Sequence, residues 1–120
     1  MDEERTILLM IEPDKPARLC RLTKDEISAE IGGIAREITL TQTNDVGSVV
    51  KLLLPDQADN PLCRVLTLNG CKYPVYGKFA VVRENIYGEL TCIRDIPLPI
   101  YRQLDAPITG PARKGVAACG

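Results

Sequence analysis

Hydrophobic and polar residues alternate in several short stretches of the chain, and this pattern predicts strands. Residues Ile34–Gln42 alternate with a period of two and place Ile34, Ile38 and Leu40 on one face, which is typical of a half-buried strand. The other apolar stretches that predict strands are Thr6–Ile11, Ala17–Leu22, Ser48–Leu54, Lys78–Arg83 and Glu89–Arg94. Turn residues separate successive stretches, so the strands are expected to pair as antiparallel hairpins.

One segment has the spacing and the end signals of a helix. Thr23 and Glu26 form a capping-box pattern, in which each side chain bonds the other residue's main-chain N–H. Ile27 and Ile31 then fall on one helical face, and Gly32-Gly33 supplies the left-handed position that commonly ends a helix. The sequence therefore predicts an α+β fold: a mostly antiparallel sheet built from hairpins, with one helix at about residues 24–33 packed on one face.

Two regions fit less regular structure. Leu62, Val65 and Leu66 have helical spacing, so Leu62–Leu68 is interpreted as a helical turn or irregular chain, although its β-branched residues also favour a strand. Tyr73–Gly77 is predicted to be a loop, and Ile100–Leu104 a final helical turn.

The composition is that of an ordinary globular domain. The chain has 120 residues, 45% of them hydrophobic, which is enough for one core without disulfides. Residues 1–105 are expected to form this single α+β domain. Residues 106–120 are rich in Pro, Gly and Ala and are expected to form a flexible tail.

The charge is nearly balanced, at −1, which gives no global excess of cations for nucleic acid. A nucleic-acid-associated regulator remains an alternative if Arg18, Arg21, Arg36 and Lys51 form one basic sheet face. The first residues are acidic and the apolar run after them is short, unlike a secretory signal. No stretch has the length of a membrane span, so a cytoplasmic protein without membrane association is expected.

Catalytic signals are missing from the sequence. The chain has no histidine, which removes the commonest general base near neutral pH. Its five cysteines have no C-x-x-C spacing, and no glycine-rich phosphate loop is present. We therefore expect no catalytic residues, no metal and no cofactor. A small hydrolase that uses Cys63 or a carboxylate is kept as an alternative.

Tyrosine and arginine residues in the middle of the chain suggest a binding surface. Such residues often anchor interfaces, and a guanidinium beside an aromatic ring can hold a carboxylate, a phosphate or a flat ring. The candidate binding residues for a ligand or partner are Asn60, Arg64, Tyr73, Tyr76 and Arg83.

The residue pattern also resembles a family of small domains of unknown function, the 3846 family, encoded mainly by phages and conjugative elements. The resemblance spans about residues 6–104 and is carried by Gly32-Gly33, Glu37, Asn60-Pro61 with Arg64, and Tyr76–Val82. One departure is the insertion of Leu62-Cys63 before Arg64. The resemblance implies a mobile-element setting, and it implies no catalytic residues, because the family has no assigned activity.

These observations lead to one functional hypothesis. The protein is expected to be a non-enzymatic accessory protein of a phage or mobile element that binds a host protein or a small ligand. Nucleic acid ranks second as a partner because of the acidic balance. A homodimer is also expected as one way to cover an open face or edge of the sheet.

Overall fold

The computed structural model describes residues 5–42, 47–94 and 96–107, and most of the predicted tail lies outside these residues. Within them the chain forms eight strands and two helices. Their order is β1 (Thr6–Ile11), β2 (Arg18–Leu22), α1 (Lys24–Ile31), β3 (Arg36–Gln42), β4 (Val49–Leu54), β5 (Leu62–Leu68), β6 (Cys71–Tyr76), β7 (Phe79–Glu84), β8 (Leu90–Thr91) and α2 (Leu98–Asp105). The fold is therefore mostly antiparallel sheet with two short helices, in agreement with an α+β class.

Six strands form one antiparallel sheet in the order β2-β1-β7-β4-β3, and β8 pairs with the end of β7. The central strand β7 contacts β1 and β4 in register, with Val81 opposite both Leu9 and Leu52. Strand β7 is buried from Phe79 to Arg83, as expected for a strand covered on both faces. The remaining strands, β5 and β6, form a separate two-stranded sheet.

The two faces of the large sheet carry different hydrophobic clusters. On one face, Leu9 and Ile11 join residues of the β5–β6 hairpin and Leu104 of α2. On the other face, Leu8 and Met10 pack with residues of α1. Because side chains alternate across a strand, β1 contributes to both clusters and links the layers.

Helix α1 begins at the capping box that the sequence predicts. The Thr23 side chain accepts a hydrogen bond from the N–H of Glu26, and the Glu26 carboxylate accepts one from the N–H of Thr23. Gly32 ends the helix in the left-handed conformation, with φ of 85°. Ile27 and Ile31 are buried in the second cluster. The sequence predicts only one helix, together with a final helical turn at Ile100–Leu104. In the structure this turn is part of a second helix, α2, which is longer at both ends.

The interpretation of Leu62–Leu68 as helical or irregular is wrong, and so is the prediction of a loop at Tyr73–Gly77. These segments form the β5–β6 hairpin around a turn in which Asn69 and Gly70 have φ of 52° and 79°. The helical spacing is coincidental, because a bulge between Leu62 and Arg64 shifts the period of two. A proline is tolerated in β6 because this strand has only β5 as a partner among the described residues.

Candidate functional site

Arg64, predicted to bind a ligand or partner, is completely buried in the structure. Its Nε donates to the main-chain oxygen of Leu104 at 2.7 Å, and Nη1 donates to the oxygens of Cys63 at 2.8 Å and Glu12 at 3.3 Å. Nη2 donates to the oxygen of Lys15. Burial lowers the pKa of Arg64 from its ordinary value, but a guanidinium stays protonated over the physiological range. The side chain thus joins β5, the β1–β2 turn and the end of α2.

The end of α2 has further ties to the same region. The Asp105 carboxylate accepts a hydrogen bond from the Ala17 N–H at 3.2 Å, and the Gln103 side-chain oxygen accepts one from the Thr67 N–H at 2.6 Å. Main-chain oxygens at a helix C-terminus have no partners within the helix, so a buried guanidinium is well suited to the Leu104 oxygen. This network gives Arg64 a structural role in the described chain.

Two other predicted binding residues lie close together at the end of the β5–β6 hairpin. Asn60 lies beside Gly77, so closely that a Cβ at Gly77 would stand 3.0 Å from the Asn60 side chain, and Tyr76 is the residue before Gly77. The Gln57 side-chain amide holds this loop, because it donates to the oxygens of Pro55 at 2.8 Å and Tyr76 at 3.0 Å. It also accepts from the Tyr76 N–H at 2.7 Å.

The remaining two predicted residues belong to other environments. Tyr73 is half-buried at the first cluster, with the Arg36 guanidinium carbon 6.0 Å from its ring centroid. Arg83 is buried in β7 and donates from Nη1 to the Thr91 hydroxyl at 2.7 Å. The structure therefore brings Asn60 and Tyr76 together, while Arg64 and Arg83 take part in separate hydrogen-bond networks.

The four cations considered for nucleic-acid binding do not share one face. Arg18 lies opposite Met10 and Lys51 opposite Val82, on the α1 side of the sheet. Arg36 lies opposite Leu54, on the other side, and Arg21 also projects to that side. Two of these cations form ion pairs with carboxylates: Nζ of Lys51 lies 2.8 Å from Oε1 of Glu84, and Nε of Arg18 lies 3.5 Å from Oε2 of Glu12.

Cys63, the candidate nucleophile, is 1% exposed, so a substrate has no direct access to its thiol. Among the described residues no group of three or more Cys, Asp or Glu side chains is placed to hold a metal ion. Within the same part of the chain, neither helix is long and apolar enough to cross a membrane.

The loop between β7 and β8, residues 85–89, is an exposed hairpin tip held by hydrogen bonds, which we call the β7–β8 tip. The Asn85 N–H donates to the Glu89 oxygen at 2.9 Å, and the Gly88 N–H donates to the Asn85 oxygen at 3.0 Å. The Asn85 side-chain oxygen accepts from the N–H groups of Tyr87 at 2.9 Å and Glu89 at 3.0 Å. Such side-chain-to-backbone bonds are typical of turns that begin with asparagine.

Two large apolar side chains project from this tip. Tyr87 is 83% exposed and Ile86 is 65% exposed, which are two of the highest exposures among large hydrophobic residues in the described chain. The tip also lies against Gly47, which comes just before β4, because a Cβ at Gly47 would lie 2.9 Å from the Ile86 Cβ. Single exposed hydrophobic residues are ordinary, but two adjacent ones on a fixed turn form a candidate contact surface.

The sequence contains a signal for this surface that a search for tyrosine and arginine groups misses. Residues 84–88 have the pattern of a hairpin loop, where polar and small residues usually predominate. Ile86 and Tyr87 occupy the middle of that loop. Two large apolar residues side by side in a predicted hairpin loop are the signal that the sequence offers, and the fold adds that both side chains are exposed.

Comparisons of the chain with protein-family profiles, with curated proteins and with solved structures found no match. Among the described residues, the β7–β8 tip is the feature whose exposure and hydrogen bonds indicate binding.

Proposed function

We propose that the chain is a non-enzymatic accessory protein that binds a host protein in the cytoplasm, and that it does so through the β7–β8 tip. The phage or mobile-element setting of this proposal rests on the sequence resemblance to the 3846 family. The mode of binding rests on the exposed pair Ile86 and Tyr87. Tyrosine is enriched among the residues that dominate binding energy, because its ring is large and its hydroxyl can still form a hydrogen bond.

The order of the tip supports a binding role. A protein loses affinity when association must immobilise a mobile loop, and a loop that is already fixed avoids that cost. Five hydrogen bonds that involve main-chain or side-chain atoms of Asn85 hold the tip, at 2.9 to 3.3 Å. A partner with an apolar pocket can therefore accept Tyr87 without reorganising the loop.

The experiment compares three tagged proteins in affinity purification from a host lysate: the wild type, the double variant Ile86→Ser with Tyr87→Ser, and Leu19→Ser. Leu19 is a matched control because it is 66% exposed and lies on β2, outside the tip. We expect one host protein to be retained by the wild type and by Leu19→Ser, and to be lost by the double variant.

The affinity for a captured partner is then measured with purified proteins. Loss of a central tyrosine anchor typically costs about 2 kcal/mol or more, so the double variant should bind about thirtyfold more weakly. A partner bound equally by all three proteins would contradict the role of the tip, and the absence of any specific partner would contradict the proposed function itself.

A further inference from the structure

The turn of the β5–β6 hairpin is made of two residues, Asn69 and Gly70, and belongs to a different hairpin from the β7–β8 tip. Leu68 lies opposite Cys71, so Asn69 and Gly70 alone connect the two strands. Their φ angles are 52° and 79°, and both residues are exposed. Positive φ at both positions is what a type I′ hairpin turn requires, and Asn-Gly is the preferred pair for it. The turn geometry therefore explains why these two residue types occur here.

An Asn-Gly pair also has a reactivity of its own. The main-chain nitrogen of Gly70 can attack Cγ of the Asn69 side chain, which forms a new C–N bond and closes a succinimide ring. The bond from Cγ to the side-chain nitrogen breaks, and that nitrogen takes the proton of the main-chain N–H and leaves as ammonia. Water then opens the ring at either carbonyl and gives aspartate or isoaspartate. Glycine favours the attack, because it has no Cβ to obstruct its nitrogen.

The other asparagines of the described chain are protected from this reaction. Asn60 precedes a proline, whose nitrogen carries no hydrogen and cannot close the ring. Asn85 precedes an isoleucine, whose branched side chain crowds the main-chain nitrogen. The Asn85 side chain is also held, since its oxygen accepts two main-chain N–H groups of the tip and its nitrogen donates to the Glu89 carboxylate at 3.3 Å. Asn69 is thus the most reactive asparagine in this part of the chain.

The fold slows ring closure at Asn69 without preventing it. Closure rotates the main chain at Asn69 out of its turn conformation, so the turn must open first. Little packs on the turn: Cys71 is exposed, and a Cβ built on Gly70 would have no described atom within 4 Å beyond its chain neighbours. Segments with few buried apolar contacts open at a low cost in free energy, without unfolding of the rest of the protein. The reaction is therefore expected in the folded protein, and more rapidly in the unfolded chain.

The two products differ in their effect on the hairpin. Aspartate at position 69 keeps the main chain as it is. In isoaspartate the main chain passes through Cβ and Cγ of residue 69, so the turn becomes longer by one atom, and a free α-carboxylate projects beside it. Because the turn fixes the register of a hairpin, the longer turn should disturb the pairing of Leu68 with Cys71 and of Thr67 with Lys72.

We propose that Asn69 is a site of spontaneous deamidation in the folded protein, and that its isoaspartate product disturbs the turn end of the β5–β6 hairpin. This product has a matching enzyme class, the isoaspartyl methyltransferases. They transfer the methyl group of S-adenosylmethionine to the α-carboxylate of isoaspartate: a carboxylate oxygen bonds to the methyl carbon, the carbon–sulfur bond breaks, and S-adenosylhomocysteine leaves. The protein becomes a substrate of this class only after Asn69 has reacted.

The test follows the full chain during incubation in mildly alkaline buffer at physiological temperature, with peptide mass mapping at intervals. We expect the mass increase that replaces –NH₂ by –OH first in the peptide that contains Asn69, before any change at Asn44, Asn60 or Asn85. Asn60 is a control within the molecule, because a proline follows it. Part of the product should accept a labelled methyl group from S-adenosylmethionine when a purified isoaspartyl methyltransferase is added.

Two further samples separate the effect of the fold from that of the sequence. The variant Asn69→Gln, at an exposed position, would have to close a larger ring and should keep its mass at residue 69. The wild-type chain unfolded in guanidinium chloride should react faster at Asn69 than the folded chain. In the converted wild type, the amide NMR signals of residues 67–72 should shift while those of β7 stay unchanged.

Three results would overturn the proposal. The first is a mass increase at another asparagine before any at Asn69. The second is a folded chain in which Asn69 is still intact when the unfolded chain has been converted, because the closed turn would then prevent the reaction. The third is a product at residue 69 that accepts no methyl group, because it would contain no isoaspartate.

Discussion

Arg64 and Leu104 are joined by a 2.7 Å hydrogen bond from the guanidinium Nε to the main-chain oxygen, across 40 positions of the sequence. The same guanidinium also bonds oxygens of Cys63, Glu12 and Lys15. It therefore satisfies main-chain groups from three segments that no strand pairing connects. The buried arginine acts as the link between the β5–β6 hairpin, the β1–β2 turn and α2.

Replacement of Arg64 should destabilise the protein strongly. Arg64→Met keeps much of the buried volume but leaves main-chain oxygens without donors, so we expect the free energy of unfolding to fall by about 3 kcal/mol or more. Arg64→Lys retains the charge but loses the planar fork of donors, and should also be destabilised. Urea denaturation measures both changes. If Arg64→Lys were as stable as the wild type, a positive charge alone would stabilise this region, and the planar set of guanidinium donors would not be required.

Gln57 should be important for the loop that approaches β5. Gln57→Glu removes the side-chain N–H donor and places a carboxylate beside the oxygens of Pro55 and Tyr76, so it should cost about 1–3 kcal/mol. Asn69→Asp is the matched change of amide to acid at an exposed position of the β5–β6 turn, where an effect within about 0.5 kcal/mol is expected. Thermal denaturation measures the stability of the two variants. If both lost the same stability relative to the wild type, the bridging role of Gln57 would be contradicted.

Glu26 should make stability depend on pH in the acid range. The hydrogen bond from Arg5, aided by the N–H of Thr23, lowers the pKa of Glu26 from 4.5 to about 2. A carboxyl whose pKa is lowered by folding stabilises the folded state above its ordinary pKa, and this contribution is lost as the pH falls from about 4.5 towards 2. Glu26→Gln keeps an oxygen for the Thr23 N–H and should reduce the pH dependence in that window.

The cause of this pKa shift can be tested separately with Arg5→Met. This variant removes the ion pair, in which Nε of Arg5 lies 3.0 Å from Oε1 of Glu26, but leaves the capping box intact. Carboxyl NMR titration should then give a Glu26 pKa closer to 4.5 than in the wild type. An unchanged titration of Glu26 in Arg5→Met would show that Arg5 is not the cause.

Gly47 should control the position of the β7–β8 tip. Its φ of 81° disfavours any side chain, and a Cβ would lie 2.9 Å from the Cβ of Ile86. Gly70 is a matched control, since its φ is 79° and a Cβ added there would have no neighbouring atom within 4 Å. Both alanine variants should lose about 1 kcal/mol from the backbone conformation. Only Gly47→Ala should also shift the amide signals of residues 85–89 in the NMR spectrum. If these signals were the same in Gly47→Ala and in Gly70→Ala, the contact between Gly47 and Ile86 would be contradicted.

The features that could be predicted from the sequence are those with local causes. The capping box at Thr23 and Glu26 and the alternation of Ile38 and Leu40 depend on residues close in the chain, and each lies in the predicted type of element. The β5–β6 hairpin could not be predicted in this way, because a bulge beside Arg64 interrupts its period, so that Leu62, Val65 and Leu66 imitate a helix.

The long-range features have no such local cause. Arginine is almost never fully buried unless it is paired, so the sequence gives no reason to expect Arg64 in the interior. Its main-chain partners Leu104 and Lys15 are distant in sequence and have no residue-type signal, because any residue provides a carbonyl oxygen. The candidate site differs from the predicted one for a related reason: Ile86 and Tyr87 are distinguished by exposure, which follows from the whole fold rather than from their own segment.

Site-specific photo-crosslinking in host cells from position 87 tests binding through the β7–β8 tip at the contact itself. A photoreactive phenylalanine analogue replaces Tyr87, and a second protein carries the same analogue at Lys72, which is exposed on β6. We expect one discrete crosslinked host protein from position 87, its loss when Ile86→Ser is added, and no such product from position 72. No product from position 87, or the same product from both positions, would contradict binding through the β7–β8 tip.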